Sequence, residues 1–106
     1  MTPEVGRFLH TLVLATRPRT ILEIGTSGGY SSVWLATAAR GVGATVTTLE
    51  IDPVKVALAT SSLHEAGVDD VVTVVQGDAF DYLRDRREPL DFVFLDAEKE
   101  AYLRFL

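Results

Sequence analysis

The feature that most restricts how this chain can fold is a regular alternation of short β-rich runs with helical segments. Runs of β-branched and apolar residues are predicted as strands at residues 20–24, 44–51, 71–75 and 92–95. Strands joined through helices form parallel βα units with right-handed crossovers. The pattern predicts one α/β domain over residues 1–106, a Rossmann-like parallel sheet of about four strands with helices on both faces.

Prolines, capping residues and glycines mark the predicted helix ends. Asp52-Pro53 combines a capping carboxylate with proline at the first helical position, and Gly67 ends the same segment. Thr2-Pro3 has a similar signature, and Pro18 limits the far end of that helix. The predicted helices cover about residues 3–16, 30–40, 53–66, 78–86 and 98–106.

Composition and charge narrow the function. Of the 106 residues 47% are apolar, which suffices for a packed core, and the net charge of −5 opposes contact with a phosphate backbone. We therefore expect a small-molecule substrate and no nucleic acid. The absence of cysteine excludes disulfides and thiolate chemistry. With no signal-peptide pattern and no apolar run of roughly 20 residues, we expect a cytoplasmic protein without membrane contact.

The last predicted strand has an unusual position. Phe92–Leu95 is continuous apolar sequence, which is typical of a central strand buried on both faces, yet it is the final strand of the chain. An apolar strand at a sheet edge pairs readily with another chain. We expect either that the domain is truncated after this strand, which its length favours, or that this edge forms a homodimer.

The glycine-rich segment from Glu23 to Tyr30 lies where the first strand passes into a helix, the edge at which open α/β sheets bind ligands. It departs from the G-x-G-x-x-G pattern of dinucleotide folds, because Glu23 stands two positions before Gly25. A carboxylate there suits a ligand with an ammonium or sulfonium group. The segment predicts a ligand-binding turn, with a purely structural turn as the alternative.

Acidic residues follow the next three strands. Glu50 is placed to accept the two hydroxyls of a ribose, or is a solvated strand-end acid. Asp78 either contacts an adenine ring or caps the following helix. Asp96 is placed to hold Mg²⁺ or Ca²⁺ and Lys99 to act as a general base. Taken alone, the last pair is better explained as a helix cap and a surface lysine.

Together these segments resemble the cation-dependent O-methyltransferases of the catechol and caffeoyl-CoA type, which use S-adenosylmethionine. The similarity spans nearly the whole chain and is carried, in order, by residues 21–32, 49–53, 65–68, 77–79 and 94–103. The resemblance implies a set of cofactor-binding residues: Glu23, Gly25, Ser27, Gly29, Tyr30, Ser31, Glu50, Asp78 and Ala79.

Within that set, the resemblance implies that Glu23, Gly25 and Ser31 surround the methionine part of S-adenosylmethionine. Glu50 would hold the ribose, and Asp78 with Ala79 would flank the adenine.

The resemblance also implies a reaction. Asp96 would bind a divalent cation, and Lys99 would take the proton from the hydroxyl of a small catechol- or phenol-like acceptor. The family continues with three more strands and further metal ligands that are not found in this sequence, so the similarity supports cofactor binding more strongly than turnover.

Three alternatives follow from the same residues. One is an S-adenosylmethionine-binding module without activity of its own. Another is a nicotinamide-dependent oxidoreductase, which Glu23 disfavours. The third is an amino-group or nucleic-acid-base methyltransferase, which is disfavoured because residues 96–99 lack the Asn/Asp-Pro-Pro-aromatic run of that class.

Overall fold

The computed structural model describes residues 3–26, 30–86 and 90–95. Within them the elements are, in chain order, α1 Pro3–Thr16, β1 Thr20–Ile24, α2 Tyr30–Val42, β2 Thr45–Glu50, α3 Pro53–Glu65, β3 Val72–Gln76, α4 Ala79–Asp85 and β4 Phe92–Leu95. The strands form a parallel sheet in the order β3-β2-β1-β4. The predicted α/β fold with a parallel Rossmann-like sheet is confirmed.

Helix and strand ends differ from the predictions by one or two residues. Helix α2 runs to Val42, past Gly41, because the chain reverses only at Gly43, whose φ of 72° is a left-handed conformation that favours glycine. The cap of α3 is confirmed, since the Asp52 carboxylate accepts from the main-chain N–H of Val54 at 2.9 Å. The predicted Thr2 cap and the helix predicted at 98–106 lie outside the described residues.

Alternation along β1 divides the core between two faces of the sheet. Ile21 points to the first face, where the buried residues of α1, α2 and α3 pack. Leu22 points to the second face, where it packs with Leu49 of β2 and Ala79 of α4. Helices therefore cover both faces, as predicted.

Strand β4 lies at the edge of the described sheet, beside β1. Phe92 and Phe94 pack against the first-face core, whereas Val93, on the second face, is 52% exposed. Pairing of this edge in a homodimer stays a prediction.

Helices α1 and α2 pack closely because α1 has a glycine at the contact. A Cβ atom at Gly6 would overlap the indole ring of Trp34. The same indole meets the ring of His10 edge-to-face, with centroids 6.2 Å apart. The missing side chain at Gly6 thus sets how near α1 approaches α2.

We predict that Gly6→Ala lowers the free energy of unfolding by about 1–3 kcal/mol, because the new methyl group must displace the Trp34 ring in a packed contact. Urea unfolding measures the change. Gly41→Ala is the matched control, since its Cβ would lie 3.5 Å from Leu14 Cδ2, an ordinary contact, and should cause no loss. Equal stabilities of the two variants would contradict this packing argument.

The turn after α3 is tied to its neighbours by polar side chains. Gly67, with φ 70°, reverses the chain, and Arg40 Nη2 donates to its carbonyl oxygen at 3.0 Å and pairs with Asp70. His64 Nδ1 lies 2.7 Å from Asp69 Oδ2. The hydrogen bond that the His64 ring donates to the Asp69 carboxylate raises the pKa of His64 above its ordinary 6.5, and the same bond lowers the pKa of Asp69 below its ordinary 3.8.

We predict a pH-dependent stabilising effect of this pair. The His64 contribution is fully present below pH 6.5 and is lost as the pH rises through the raised pKa of the folded state. The Asp69 contribution is present above pH 3.8 and is lost as the pH falls through its lowered pKa. The difference in unfolding free energy between wild type and His64→Gln should therefore be largest between pH 3.8 and pH 6.5 and should shrink as the pH rises through the raised pKa of His64.

Urea unfolding at a series of pH values tests this. Asp69→Asn should show the same dependence, since it removes the other partner. A difference that stays constant from acid to alkaline pH would mean that the pair contributes nothing through its charges.

Candidate functional site

The predicted ligand-binding segments converge at the carboxyl edge of the sheet. Gly25 follows β1, Glu50 ends β2 and Asp78 follows β3, and the carboxyl ends of parallel strands share one edge. Main-chain hydrogen bonds join the loops there: the N–H of Gly25 donates to Leu49 O at 2.8 Å, and the N–H of Gly77 donates to Glu50 O at 3.0 Å. The three segments are thus held beside one another.

Glu23 is the central polar residue of this edge. It is fully buried on the first face and lies opposite Thr48 in the register of β1 and β2. Its Oε1 accepts from the hydroxyls of Ser32 and of Thr48, the latter at 2.7 Å, and its Oε2 accepts from Ser31. Burying a carboxylate is costly unless hydrogen-bond donors meet it. The hydroxyls of Ser31, Ser32 and Thr48 therefore offset the desolvation cost of the buried carboxylate.

The hydroxyl group of Thr26 extends this arrangement into the turn. Thr26 is fully buried, and its Oγ1 lies 3.1 Å from Ser32 Oγ. Because Ser32 uses its single hydroxyl hydrogen toward Glu23, Thr26 must donate and Ser32 accept. The glycine turn, whose Gly25 has φ 89°, is therefore linked through Ser32 to the carboxylate.

The start of α2 adds a favourable electrostatic contribution. Ser31 and Ser32 belong to the first turn of α2, so the Glu23 carboxylate lies against the amino end of that helix. The amino end of a helix carries a partial positive charge that stabilises a nearby anion by roughly 0.3–1 kcal/mol.

Glu50 and Asp52 have separate roles although they are two residues apart. Glu50 is 8% exposed, and its Oε2 accepts from the main-chain N–H of Asp52 at 3.0 Å. The Asp52 carboxylate caps α3. Glu50 is therefore the acid that ends the strand, with one oxygen already oriented by the main chain.

Asp78 is the helix cap that one of the two sequence interpretations expected. Its Oδ1 accepts from the main-chain N–H of Phe80 at 2.7 Å and of Asp81 at 3.4 Å. Ala79 is buried in the second-face core. Capping by Asp78 is shown, and contact of Asp78 or Ala79 with an adenine stays a prediction.

An open groove of about 550 Å³ runs along the second face between α4 and the ends of β2 and β3. Leu49 and Val75 form its apolar side, and Tyr82 and Arg86 lie at its α4 side, where Arg86 Nη1 donates to the Tyr82 hydroxyl at 2.6 Å. Glu23 belongs to the opposite face. Gly77 and Asp78, which follow β3, also line the groove, so it adjoins the carboxyl edge of the sheet from the second face.

Several predicted site residues lie outside the described residues: Ser27, Gly29, Asp96 and Lys99. Tyr30 is the first residue of α2. Among residues 3–26, 30–86 and 90–95, no group of three or more His, Asp or Glu side chains is arranged to hold a metal ion. No helix in the described part of the chain is long and apolar enough to cross a membrane. The cytoplasmic location stays a prediction.

Sequence reasoning assigned no role to Ser32 and Thr48, which donate to Glu23, or to Thr26, which is hydrogen-bonded to Ser32. A buried acid at the end of a strand is itself a signal that donors must lie nearby. Which hydroxyls donate to Glu23 depends on the register between β1 and β2 and on the rotation of α2 about its axis. Neither can be read from the local sequence pattern.

The fold is a Rossmann-like α/β domain with a candidate ligand site at its carboxyl edge, where Gly25 and the strand-end acid Glu50 lie on neighbouring segments. A family model described as O-methyltransferase matches residues 1–106. The chain belongs to this O-methyltransferase family.

Individual relatives agree with this assignment. The catechol O-methyltransferase of Mycobacterium tuberculosis is 42% identical over 107 residues, covering 100% of this chain and 48% of the relative. The O-methyltransferase from Bacillus cereus, solved in complex with SAH, superposes with a TM-score of 0.84 at 41% identity, over 99% of this chain and 50% of that one. The O-methyltransferase TomG from Streptomyces achromogenes, solved in complex with SAM, superposes with a TM-score of 0.87 at 39% identity, over 99% of this chain and 48% of that one. This chain thus spans about half the length of the proteins it matches.

We predict that Asp78→Ala lowers the free energy of unfolding by about 1 kcal/mol, because two main-chain N–H groups of α4 lose their acceptor. Asp78→Asn should keep most of that stability, since an amide oxygen also caps. Urea unfolding of both variants measures the effect. An alanine variant as stable as the wild type would show that the cap contributes nothing.

Proposed function

We propose that this chain binds S-adenosylmethionine at the carboxyl edge of its sheet and is the cofactor-binding part of an O-methyltransferase. The acceptor is the hydroxyl of a small catechol- or phenol-like molecule. The observation that carries the proposal is the buried, hydroxyl-held carboxylate of Glu23 at the glycine turn, with Glu50 at the end of the neighbouring strand.

The chemistry of these donors and acceptors fits S-adenosylmethionine. The cofactor carries an ammonium group and a sulfonium group. A buried carboxylate attracts both groups more strongly than an exposed one, because the dielectric constant of the protein interior is low. A dinucleotide would instead bring a pyrophosphate to the amino end of the helix after β1. Here that helix end already faces the Glu23 carboxylate, which would repel the pyrophosphate.

Glu50 fits the ribose of the same ligand. A carboxylate has about four acceptor positions on its two oxygens, and the N–H of Asp52 uses one of them. That main-chain contact orients the side chain at the end of β2, and a carboxylate in this place is the kind of acceptor that vicinal hydroxyls bind. Gly25 brings the main chain near the ligand without a side chain in the way, in a conformation with φ 89°.

When bound, S-adenosylmethionine supplies a methyl group on an electrophilic sulfonium. The residues of this chain would bind the cofactor and orient it, and positioning of this kind accounts for much of the rate of a bimolecular transfer.

The proposal includes Asp96 as a ligand to Mg²⁺ or Ca²⁺ and Lys99 as the base that takes the acceptor's proton. The similarity to the family supports these two roles. A single carboxylate does not fit a magnesium ion, which prefers six oxygens in octahedral geometry, and the described residues add no ligand set to it.

The proposal is tested by calorimetric titration of S-adenosylhomocysteine into the chain and into Glu50→Ala. Loss of hydrogen bonds between a charged acceptor and the ribose should weaken binding by about 2–3 kcal/mol, roughly 30- to 150-fold. Asp52→Asn is the matched control: it changes a neighbouring carboxylate that caps α3, and binding should change by less than about twofold.

The outcomes are separable. No binding by a chain that circular dichroism shows to be folded would refute the proposed cofactor. Binding that Glu50→Ala leaves unchanged would refute the ribose role. Binding without methyl transfer to catechol in the presence of Mg²⁺ would support the alternative of a cofactor-binding module without activity of its own.

A further inference from the structure

The two oxygens of Glu23 are held in different ways. Oε1 accepts from Ser32 of α2 and from Thr48 of β2, whereas Oε2 accepts from Ser31. The donors to Oε1 come from two separate elements that flank β1. Donors that approach Oε1 from these two elements restrict the rotation of the carboxylate plane.

Neither Ser32 nor Thr48 belongs to the cofactor-binding set assigned above, and both are fully buried. Thr48 has its β-branched side chain restricted by the strand, so its hydroxyl is pre-aligned toward Glu23. Ser32 is in turn oriented by Thr26, which donates to it across 3.1 Å. The carboxylate is therefore aligned by a chain of contacts that reaches from β2 to the glycine turn.

We propose that Ser32 and Thr48 are positioning residues that align the Glu23 carboxylate for the ammonium group of the ligand, and so make the site selective for nucleosides that carry an amino-acid end. The inference rests on the proposed function. A misaligned carboxylate would attract the ammonium group less strongly but would leave the proposed ribose contact of Glu50 intact. Selectivity, more than overall affinity for the nucleoside, is the property these residues control.

Two ligands distinguish the amino-acid end from the rest of the molecule. S-adenosylhomocysteine carries the ammonium and carboxylate groups of an amino acid, and 5′-methylthioadenosine has the same nucleoside and a thioether but no amino-acid end. We expect Ser32→Ala and Thr48→Val each to raise the Kd for S-adenosylhomocysteine by about tenfold and to change the Kd for 5′-methylthioadenosine by less than about twofold. Calorimetric titration of each ligand gives both values.

Conservative variants and matched controls separate positioning from general stability. Thr48→Ser restores the hydroxyl and should restore the ratio of the two Kd values. Thr47→Val changes the neighbouring residue of β2, which points to the opposite face, and Ser61→Ala removes an exposed hydroxyl of α3. Neither control should change the ratio. In a Glu23→Gln background, Ser32→Ala should cause no further change in the ratio, because it acts through that carboxylate.

Each remaining outcome decides the matter. Equal weakening of both ligands, or no weakening of either, overturns the inference while leaving the proposed function standing. If Ser32→Ala does not fold, Thr48→Val with its Thr48→Ser rescue decides alone. If neither Ser32→Ala nor Thr48→Val folds, the hydroxyls are structural and the inference is wrong. A folded wild type that binds no S-adenosylhomocysteine refutes the proposed function itself.

Discussion

The buried carboxylate of Glu23 is the constraint on which the rest of the site depends. It lies on an inner strand of the sheet with no solvent access, so its charge has to be met by donors from the protein. Those donors come from the first turn of α2 and from β2, which means that the helix, the two strands and the intervening turn have to be placed together. The hydrogen bonds to this one carboxylate therefore fix how α2, β1 and β2 are placed at the carboxyl edge of the sheet.

The same interaction specifies strand register. Glu23 pairs with Thr48, and one position further along β2 lies Leu49, which packs in the second-face core. A slip of one residue between β1 and β2 would place Leu49 opposite Glu23 and move every side chain of β2 to the other face. It would leave a buried carboxylate without one of its hydroxyl donors and move a core leucine to the wrong face. The hydrogen bond from Thr48 to Glu23 and the packing of Leu49 therefore favour the same register of β1 and β2.

Structural features that depend on a short stretch of sequence can be predicted here, whereas contacts between distant segments cannot. The strands, the parallel sheet and the Asp52 cap follow from short-range patterns, and Glu23 and Glu50 stand out because each lies at or near a strand end. The end of α2 was misplaced at Arg40 because Gly41 and Gly43 look alike in sequence, although only Gly43 needs a positive φ. The contacts of Ser32 and Thr48 with Glu23 join residues 9 and 25 positions apart, and only the folded register brings them together.

One fold can bind anionic or cationic ligands at the same edge by changing what faces the first helix after β1. In dinucleotide folds the amino end of that helix meets a pyrophosphate, and glycines let the phosphates approach. In this chain the amino end of α2 meets the carboxylate of Glu23, so its partial positive charge is already balanced by the protein. An incoming anion meets like charge, and an incoming cation meets a fixed carboxylate. A glutamate in place of a glycine at this position is therefore expected to favour a cationic over an anionic ligand, provided that hydroxyl donors such as those of Ser32 and Thr48 stabilise the buried carboxylate.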